Sequence, residues 1–416
     1  MIARTSYIKQ LEIFVNKPFI KVITGIRRSG KSSVLLLLRE NLLSKGIADE
    51  QIIYINFESF SFADLQNAVK LYEFVKTKIA KGKKTYLLLD EIQEVEAWEK
   101  CVNSFLVDFD VDIYITGSNS RLLSSELATF IAGRYVEIPI FTLSYLEYLN
   151  FCEHYLATDD GVVITTDDGV PIITAGNFEE YLRLGGFPVI HTADYNEETA
   201  YKIVQDIYAS VILRDTVQRY KIRDVELLER IVRYAFDNIG NTFSGKNVAD
   251  YFKSQQRKID INTVYNYLNA LEGAFVLYRV PRYDIRGKEI LKTQEKFYLG
   301  DISLLYATMG YKDRQVSGVL ENIVFLELKR RGYNVFVGKL DTREIDFIAE
   351  KQGKKIYVQV AYKLDSENTV EREFNPLLEM KDQFPKFVVT MDDFWKESVE
   401  GVQHLHIADF LTKQEL

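Results

Sequence analysis

The chain has 416 residues, 47% of them hydrophobic and 27% charged, with a formal net charge of -8 at pH 7. That is the composition of ordinary folded domains, about two to four at roughly 100–200 residues each, and the acidic balance argues against a surface built for indiscriminate nucleic-acid binding. No run approaches the roughly 18 apolar residues that span a bilayer, and no signal-peptide core follows the N-terminus, so a cytoplasmic protein with no membrane partner is expected. Cys101 and Cys152 form no C-x-x-C pair, and the four histidines are scattered, His404 and His406 sharing one strand face without a partner cysteine; neither set reads as a metal centre.

In chain order, the apolar run Phe19–Thr24 reads as a strand and Ser33–Leu43 as a helix. Between them lies Gly25-Ile-Arg-Arg28-Ser29-Gly30-Lys31-Ser32, the Gly-x-x-x-x-Gly-Lys-Ser pattern of a phosphate cradle. Backbone N–H groups from Gly25 through Ser33 and the positive end of the helix suit phosphates, Lys31 suits the β and γ oxygens, and Ser32 suits Mg²⁺. Thr85-Tyr-Leu-Leu-Leu-Asp90-Glu91 then reads as a buried strand ending in two acids, Asp90 for the metal shell and Glu91 to orient water. A further apolar strand, Val111-Asp-Ile-Tyr-Ile-Thr-Gly-Ser118-Asn119, ends in polar groups able to bond a γ-phosphate or the attacking water, or to cap a helix. Three such tips at one carboxyl edge of an α/β sheet form a nucleotide site.

Residues 156–172 repeat Thr-Asp-Asp-Gly-Val and read as an acidic hairpin or loop insertion, bounded at 151–177. A helical lid is expected over 178–240, clearest at Ile203–Val217 and Val225–Asn238. Residues 241–313 follow the order of a winged helix-turn-helix: two short helices, the second capped by Asn262 or Thr263, a strand Ala274–Val280, and a charged hairpin to Phe297 and Tyr298. Six basic residues lie between Arg279 and Lys296, and Arg282, Arg286, Lys288 and Lys292 are the candidates for contact with DNA phosphates. Over 318–416 a helix, Val319–Arg331, precedes strands at Tyr333–Val337, Glu344–Glu350 and Lys355–Ala361.

On the cradle, the acid pair and the polar tip, residues 1–150 resemble the AAA+ ATPase core. The resemblance implies ATP and Mg²⁺ as cofactors, Glu91, Asn119 and Arg134 as catalytic groups, and a homo-oligomeric ring, hexameric in the family. Arg134, in Ala-Gly-Arg134-Tyr before a strand, matches the position of an arginine finger; a guanidinium suits the transferring phosphoryl group, and a surface pair with Glu137 is the plainer alternative. Glu321, Asp346 and Gln359 fall at helix, strand and strand in an order resembling the PD-(D/E)xK nuclease fold, a restriction-endonuclease-like α/β domain. Its lysine position here is Ala361, with Lys363 two residues on as a displaced substitute, so binding or assembly is expected in place of cleavage. Tyr181-Leu-Arg-Leu-Gly-Gly-Phe-Pro188 and Ile212-Leu-Arg-Asp215 resemble the words of ATPases with a DUF4143-type region. These resemblances imply an ATPase that remodels or translocates DNA, duplex or branched as in Holliday junctions. A regulatory ATPase acting on a protein and an ATP-fuelled nuclease are the alternatives.

Overall fold

A computed structural model of the chain describes residues 2–119, 133–156, 175–193, 195–310, 316–393 and 396–416. The acidic insertion falls almost wholly outside the described residues. Two compact units are formed, Met1–Thr142 with Gly273–Phe275, and Leu143–Glu272 with Val276–Leu416.

The first unit is built on five parallel strands, β1 (Ile20–Thr24), β2 (Ile52–Asn56), β3 (Thr85–Asp90), β4 (Val111–Gly117) and β5 (Tyr135–Pro139), in the order β2-β3-β4-β1-β5. β1 and β3 are buried along their whole length, as near-continuous apolar runs covered on both faces should be. Alternate residues divide between two cores. Val22, Leu87, Leu89, Ile113 and Ile115 pack with α3 (Ala68–Lys78) and α4 (Trp98–Asp108), whereas Ile23, Tyr86, Leu88 and Tyr114 pack with α1 (Thr5–Glu12) and α2 (Lys31–Ser44). In α2 the buried stripe is Val34, Leu35, Leu38 and Leu42, each worth roughly 1.5–3 kcal/mol of burial. Because all five strands run one way, the ends of β1, β3 and β4 open at the same edge, and β1 sits between β4 and β5.

The second unit contains a nine-stranded mixed sheet in the order β13-β14-β12-β11-β10-β9-β7-β8-β6. Its strands are β6 (Thr242–Phe243), β7 (Leu277–Asp284), β8 (Glu289–Leu299), β9 (Asn334–Leu340), β10 (Arg343–Lys351), β11 (Lys354–Val360), β12 (Lys386–Thr390), β13 (Ser398–Val399) and β14 (Val402–His406). The strand expected at Ala274–Val280 begins at Leu277 and runs on to Asp284. It pairs with β8 as a hairpin and, in parallel, with β9 at Arg282↔Val337, so the charged hairpin and the C-terminal strands share one sheet. Helices Gly245–Ser254 and Ile261–Gly273 precede the hairpin. Ser244 caps the first; at the second, the Asp260 carboxylate, not Asn262 or Thr263, accepts the Asn262 N–H at 2.7 Å. The expected helix at Ile203–Val217 is α-helical over Glu197–Ser210 and continues as a π-helical turn, Val211–Gln218, where Asp215 pairs with Arg219. A helix at Val316–Arg330 leads into β9, and the helix Glu367–Leu378 covers a core of Ile345, Ile348, Tyr357, Leu377 and Val388. Among the described residues no helix is long and apolar enough to cross a membrane.

Candidate functional site

At the end of β1 the chain turns through Gly25 (φ 146°), Arg28 (φ 69°) and Gly30 (φ 96°), and α2 starts at Lys31. Positive-φ residues interspersed along a short loop make a backbone concavity that receives anions, here against a helix N-terminus. Gly25 has no substitute, because a Cβ there would lie 2.1 Å from the Ile140 carbonyl oxygen. Ser29 is fully buried, and its hydroxyl has no hydrogen-bond partner among the described residues, a donor left over inside the cradle. Lys31 is buried too; its ammonium donates to Gly25 O at 3.1 Å and Ile26 O at 3.3 Å, folded into the loop it would leave for phosphate oxygens. Arg28 and Ser33 are exposed at the rim.

Asp90 ends β3, and Glu91 turns at once into the left-handed region at φ 55°. Both acids are buried. One Asp90 oxygen accepts from Thr116 Oγ1 at 2.5 Å, the other from the Tyr54 hydroxyl at 3.2 Å, and the Ser32 hydroxyl bonds the same carboxylate. Burial pushes the Asp90 pKa up; the Thr116 and Ser32 hydroxyls pull against it, Glu91 adds to the rise, and the Tyr54 hydroxyl opposes it. Glu91 Oε1 lies 3.7 Å from Lys31 Nζ, and Gln93 donates to its other oxygen. Cradle lysine, acid pair and hydroxyl therefore meet as the motifs require. The Ser32–Asp90 contact, one hydroxyl and one carboxylate, fits Mg²⁺ held together with substrate phosphates. Among the described residues no group of three or more His, Cys, Asp or Glu is arranged to hold a metal by itself.

Ser118 and Asn119 are buried just beyond β4. Arg134 is exposed immediately before the edge strand β5 and makes no ion pair among the described residues; Glu137, its plainer partner, instead accepts from Thr24 Oγ1 at 2.7 Å. Arg4 is a group that no motif announced. Its buried guanidinium donates to Ser29 O at 2.8 Å and Phe141 O at 3.0 Å, tying the cradle to the segment after β5. Arg4 stands in no recognisable word, and Thr116 lies within the segment Val111–Asn119, where attention falls on the polar tip beyond it.

In the second unit Glu321 (helix Val316–Arg330), Asp346 (β10) and Gln359 (β11) come together around an ammonium that was expected elsewhere. Lys296 of β8 lies 3.1 Å from Glu321, 3.3 Å from Asp346 and 2.8 Å from Glu344, with its side chain 3% exposed. The Tyr298 hydroxyl donates to Glu321 at 2.9 Å, Gln359 accepts the Asp346 N–H at 3.1 Å, and Asp346 accepts the Val360 N–H at 2.9 Å. Lys363, the expected substitute for the lysine missing at Ala361, is exposed past the end of β11 with its ammonium 5.4 Å from the Tyr362 ring centroid. The neighbouring hairpin brings Lys296 to the carboxylates, whereas Lys363, beyond the strand end, makes no ion pair among the described residues. Burial raises Glu321 to about 8, helped by Asp346 and opposed by Lys296; burial also raises Asp346. Burial works against the Lys296 charge, yet Tyr298, Glu321, Asp346 and Glu344 outweigh it and hold the ammonium well above its ordinary value. The cluster opens on a cavity of about 820 Å³ that Lys363 and Arg372 also line.

The same packing thins out the basic hairpin. Lys296 is buried, Arg279 pairs with Glu272 at 2.7 Å, and Arg282 is mostly covered, 3.8 Å from Glu344. Arg286 (68% exposed, paired with Asp341) and Lys288 face solvent near the turn. The side chain of Lys292 lies outside the described residues.

A family profile described as an AAA domain matches residues 17–149. In place of a DUF4143-type region, residues 175–315 match a domain of unknown function, DUF8612. A protein of Haemophilus influenzae, described as uncharacterized, is 39% identical over 412 residues, 99% of this chain and 98% of its own. An uncharacterized protein of Methanocaldococcus jannaschii is 30% identical over 407 residues, 95% of this chain and 87% of its own. Among solved structures the Walker-type ATPase of Pyrococcus abyssi superposes with a TM-score of 0.51 at 14% identity, over 74% of this chain and 96% of that one, a likeness of fold.

Proposed function

From the premise that the chain belongs to the family of these Haemophilus influenzae and Methanocaldococcus jannaschii proteins and carries an AAA ATPase domain, we propose that it couples ATP hydrolysis to the remodelling of DNA. The observation that carries hydrolysis is the meeting of Lys31, Asp90 and Glu91 at one sheet edge beside an anion cradle. Lys31 exchanges the carbonyls of Gly25 and Ile26 for phosphate oxygens, and Glu91 orients the attacking water. Ser32 and Asp90 would hold Mg²⁺, which would neutralise developing phosphoryl charge. Asn119 senses the γ-phosphate, and Arg134, exposed at the edge strand, reaches the site of a neighbouring copy in a homo-oligomeric, hexameric ring. Mixing Arg134→Ala with Glu91→Gln subunits tests that sharing: complementing sites regain turnover at intermediate ratios, and activity absent at every ratio removes support for it.

DNA as substrate is supported by Arg286 and Lys288, exposed at the tip of a hairpin that follows two short helices, the order of a winged helix. The test is the ATPase rate with linear, single-stranded and four-way-junction DNA across a salt series. Stimulation that falls with salt is expected; no stimulation and no salt-sensitive binding on any of them excludes DNA. A protein substrate is favoured by the inward-facing Arg279, Arg282 and Lys296, which leave the hairpin less basic than its sequence.

The helix–strand order of residues 316–406 and its acids support a restriction-endonuclease-like fold kept for binding. Lys296 already sits among the carboxylates that a cation would need and supplies the positive charge there in place of a metal on this reading. Mg²⁺-dependent nicking of plasmid that is lost in Glu321→Gln would contradict this reading.

A further inference from the structure

We propose that Thr116 is a positioning residue for hydrolysis, its single hydroxyl setting the geometry of Asp90 and Glu91 together. The inference rests on the reading of the first unit as an ATP hydrolase.

Thr116 lies near the carboxyl end of β4, fully buried, one step beyond the Leu89↔Ile115 pair and therefore level with Asp90 on β3. A hydroxyl carries one proton and two lone pairs. Here Thr116 Oγ1 accepts the Glu91 N–H at 2.8 Å, and its own proton goes to Asp90 Oδ1 at 2.5 Å. The rotor is thus fixed from both sides. Strand structure does not ask for this hydroxyl: the neighbours Ile113, Tyr114 and Ile115 are buried and bulky, and valine would serve the same β-branched shape.

The bond to the Glu91 N–H acts where the backbone is least favourable. Glu91 is a non-glycine residue at φ 55°, and such conformations persist only where surroundings over-determine them. That turn sends the Glu91 side chain back over the cradle, with Oε1 3.7 Å from Lys31 Nζ. Asp90 is anchored by Thr116 on one oxygen and Tyr54 on the other, with Ser32 bonding the same carboxylate. The proton of the Thr116 hydroxyl is spent on Asp90, and a lone pair accepts the Glu91 N–H. Thr116 acts through the two acids.

The test compares Thr116→Val, which keeps the shape and loses the hydroxyl, with Thr116→Ser, which keeps the hydroxyl. Steady-state ATPase kinetics, binding of a fluorescent ATP analogue and thermal melting are read for each. Thr116→Val is expected to lower kcat by about 10- to 100-fold, the penalty of a misplaced catalytic group, with KM and analogue Kd within about threefold of wild type. Thr116→Ser restores kcat, and adding Thr116→Val to Glu91→Gln lowers turnover no further. Thr116→Ala replaces the valine variant if that variant melts early. A wild-type kcat in Thr116→Val, or Thr116→Ser as slow as Thr116→Val, overturns the proposal. Wild-type protein that binds ATP without hydrolysing it would instead overturn the underlying reading of the site.

Discussion

Lys296→Met removes the one ammonium shared by Glu321, Glu344 and Asp346, all within 3.3 Å of it. Deleting one partner of a buried ion pair costs about 3–5 kcal/mol, because the remaining charges stay desolvated and uncompensated. At about 2–4 °C per kcal/mol for a unit of this size, the second unit should melt about 6–20 °C lower. The loss should depend on pH. Glu321 is raised from an ordinary 4.5 to about 8, so it binds its proton more tightly folded than unfolded. Stability linked to it is therefore present below about pH 4.5 and lost as pH rises through 8. Without Lys296, Glu321 and Asp346 lose the charge that opposes their rise, so the deficit should be small at pH 5 and large at pH 8. Scanning calorimetry at both values reads this directly, and Lys296→Met with Glu321→Gln should recover much of the loss. An unchanged melting temperature, or an equal deficit at pH 5 and pH 8, would refute the reasoning.

Gly25→Ala brings a methyl to 2.1 Å from the Ile140 carbonyl oxygen at a φ of 146°, so nucleotide binding measured by fluorescence should be lost even where folded protein is recovered. Arg4→Ala removes charged hydrogen bonds to Ser29 O and Phe141 O, each worth about 1.5–3 kcal/mol. It should weaken ATP affinity and lower the melting of the first unit, whereas unaltered affinity would show that the cradle keeps its shape without Arg4. Lys288→Ala should reduce the salt slope of DNA binding by about one and leave DNA-free turnover unchanged.

The nucleotide site was largely legible in the sequence because its parts are consecutive: loop, lysine and serine are one word, and Asp90 and Glu91 another, each placed at a strand end by apolar runs. What escaped reading joins residues far apart in the chain. Arg4 meets Ser29 across 25 residues, Thr116 meets Asp90 across 26, and Lys296 meets Asp346 across 50. A sheet edge or a hairpin creates each of these contacts, and no spacing rule encodes them. Lys296 shows the cost of reading charge without fold: counted as part of a basic wing, it is instead the buried counter-ion of the carboxylate cluster. Lys363, favoured by nearness in sequence to Ala361, is exposed where β11 ends, on the lining of the cavity beside the cluster. Asp260 likewise took the capping role expected of Asn262 or Thr263, since its carboxylate reaches the Asn262 N–H.

The central claim is that Glu91, held beside Lys31, turns a bound nucleotide over. Nucleotide binding and single-turnover ATP hydrolysis measured together on wild type, Glu91→Gln and Lys31→Ala test it most directly. The account predicts hydrolysis by wild type, ATP retained but unhydrolysed by Glu91→Gln, and impaired binding by Lys31→Ala. Wild-type turnover in both variants would contradict it.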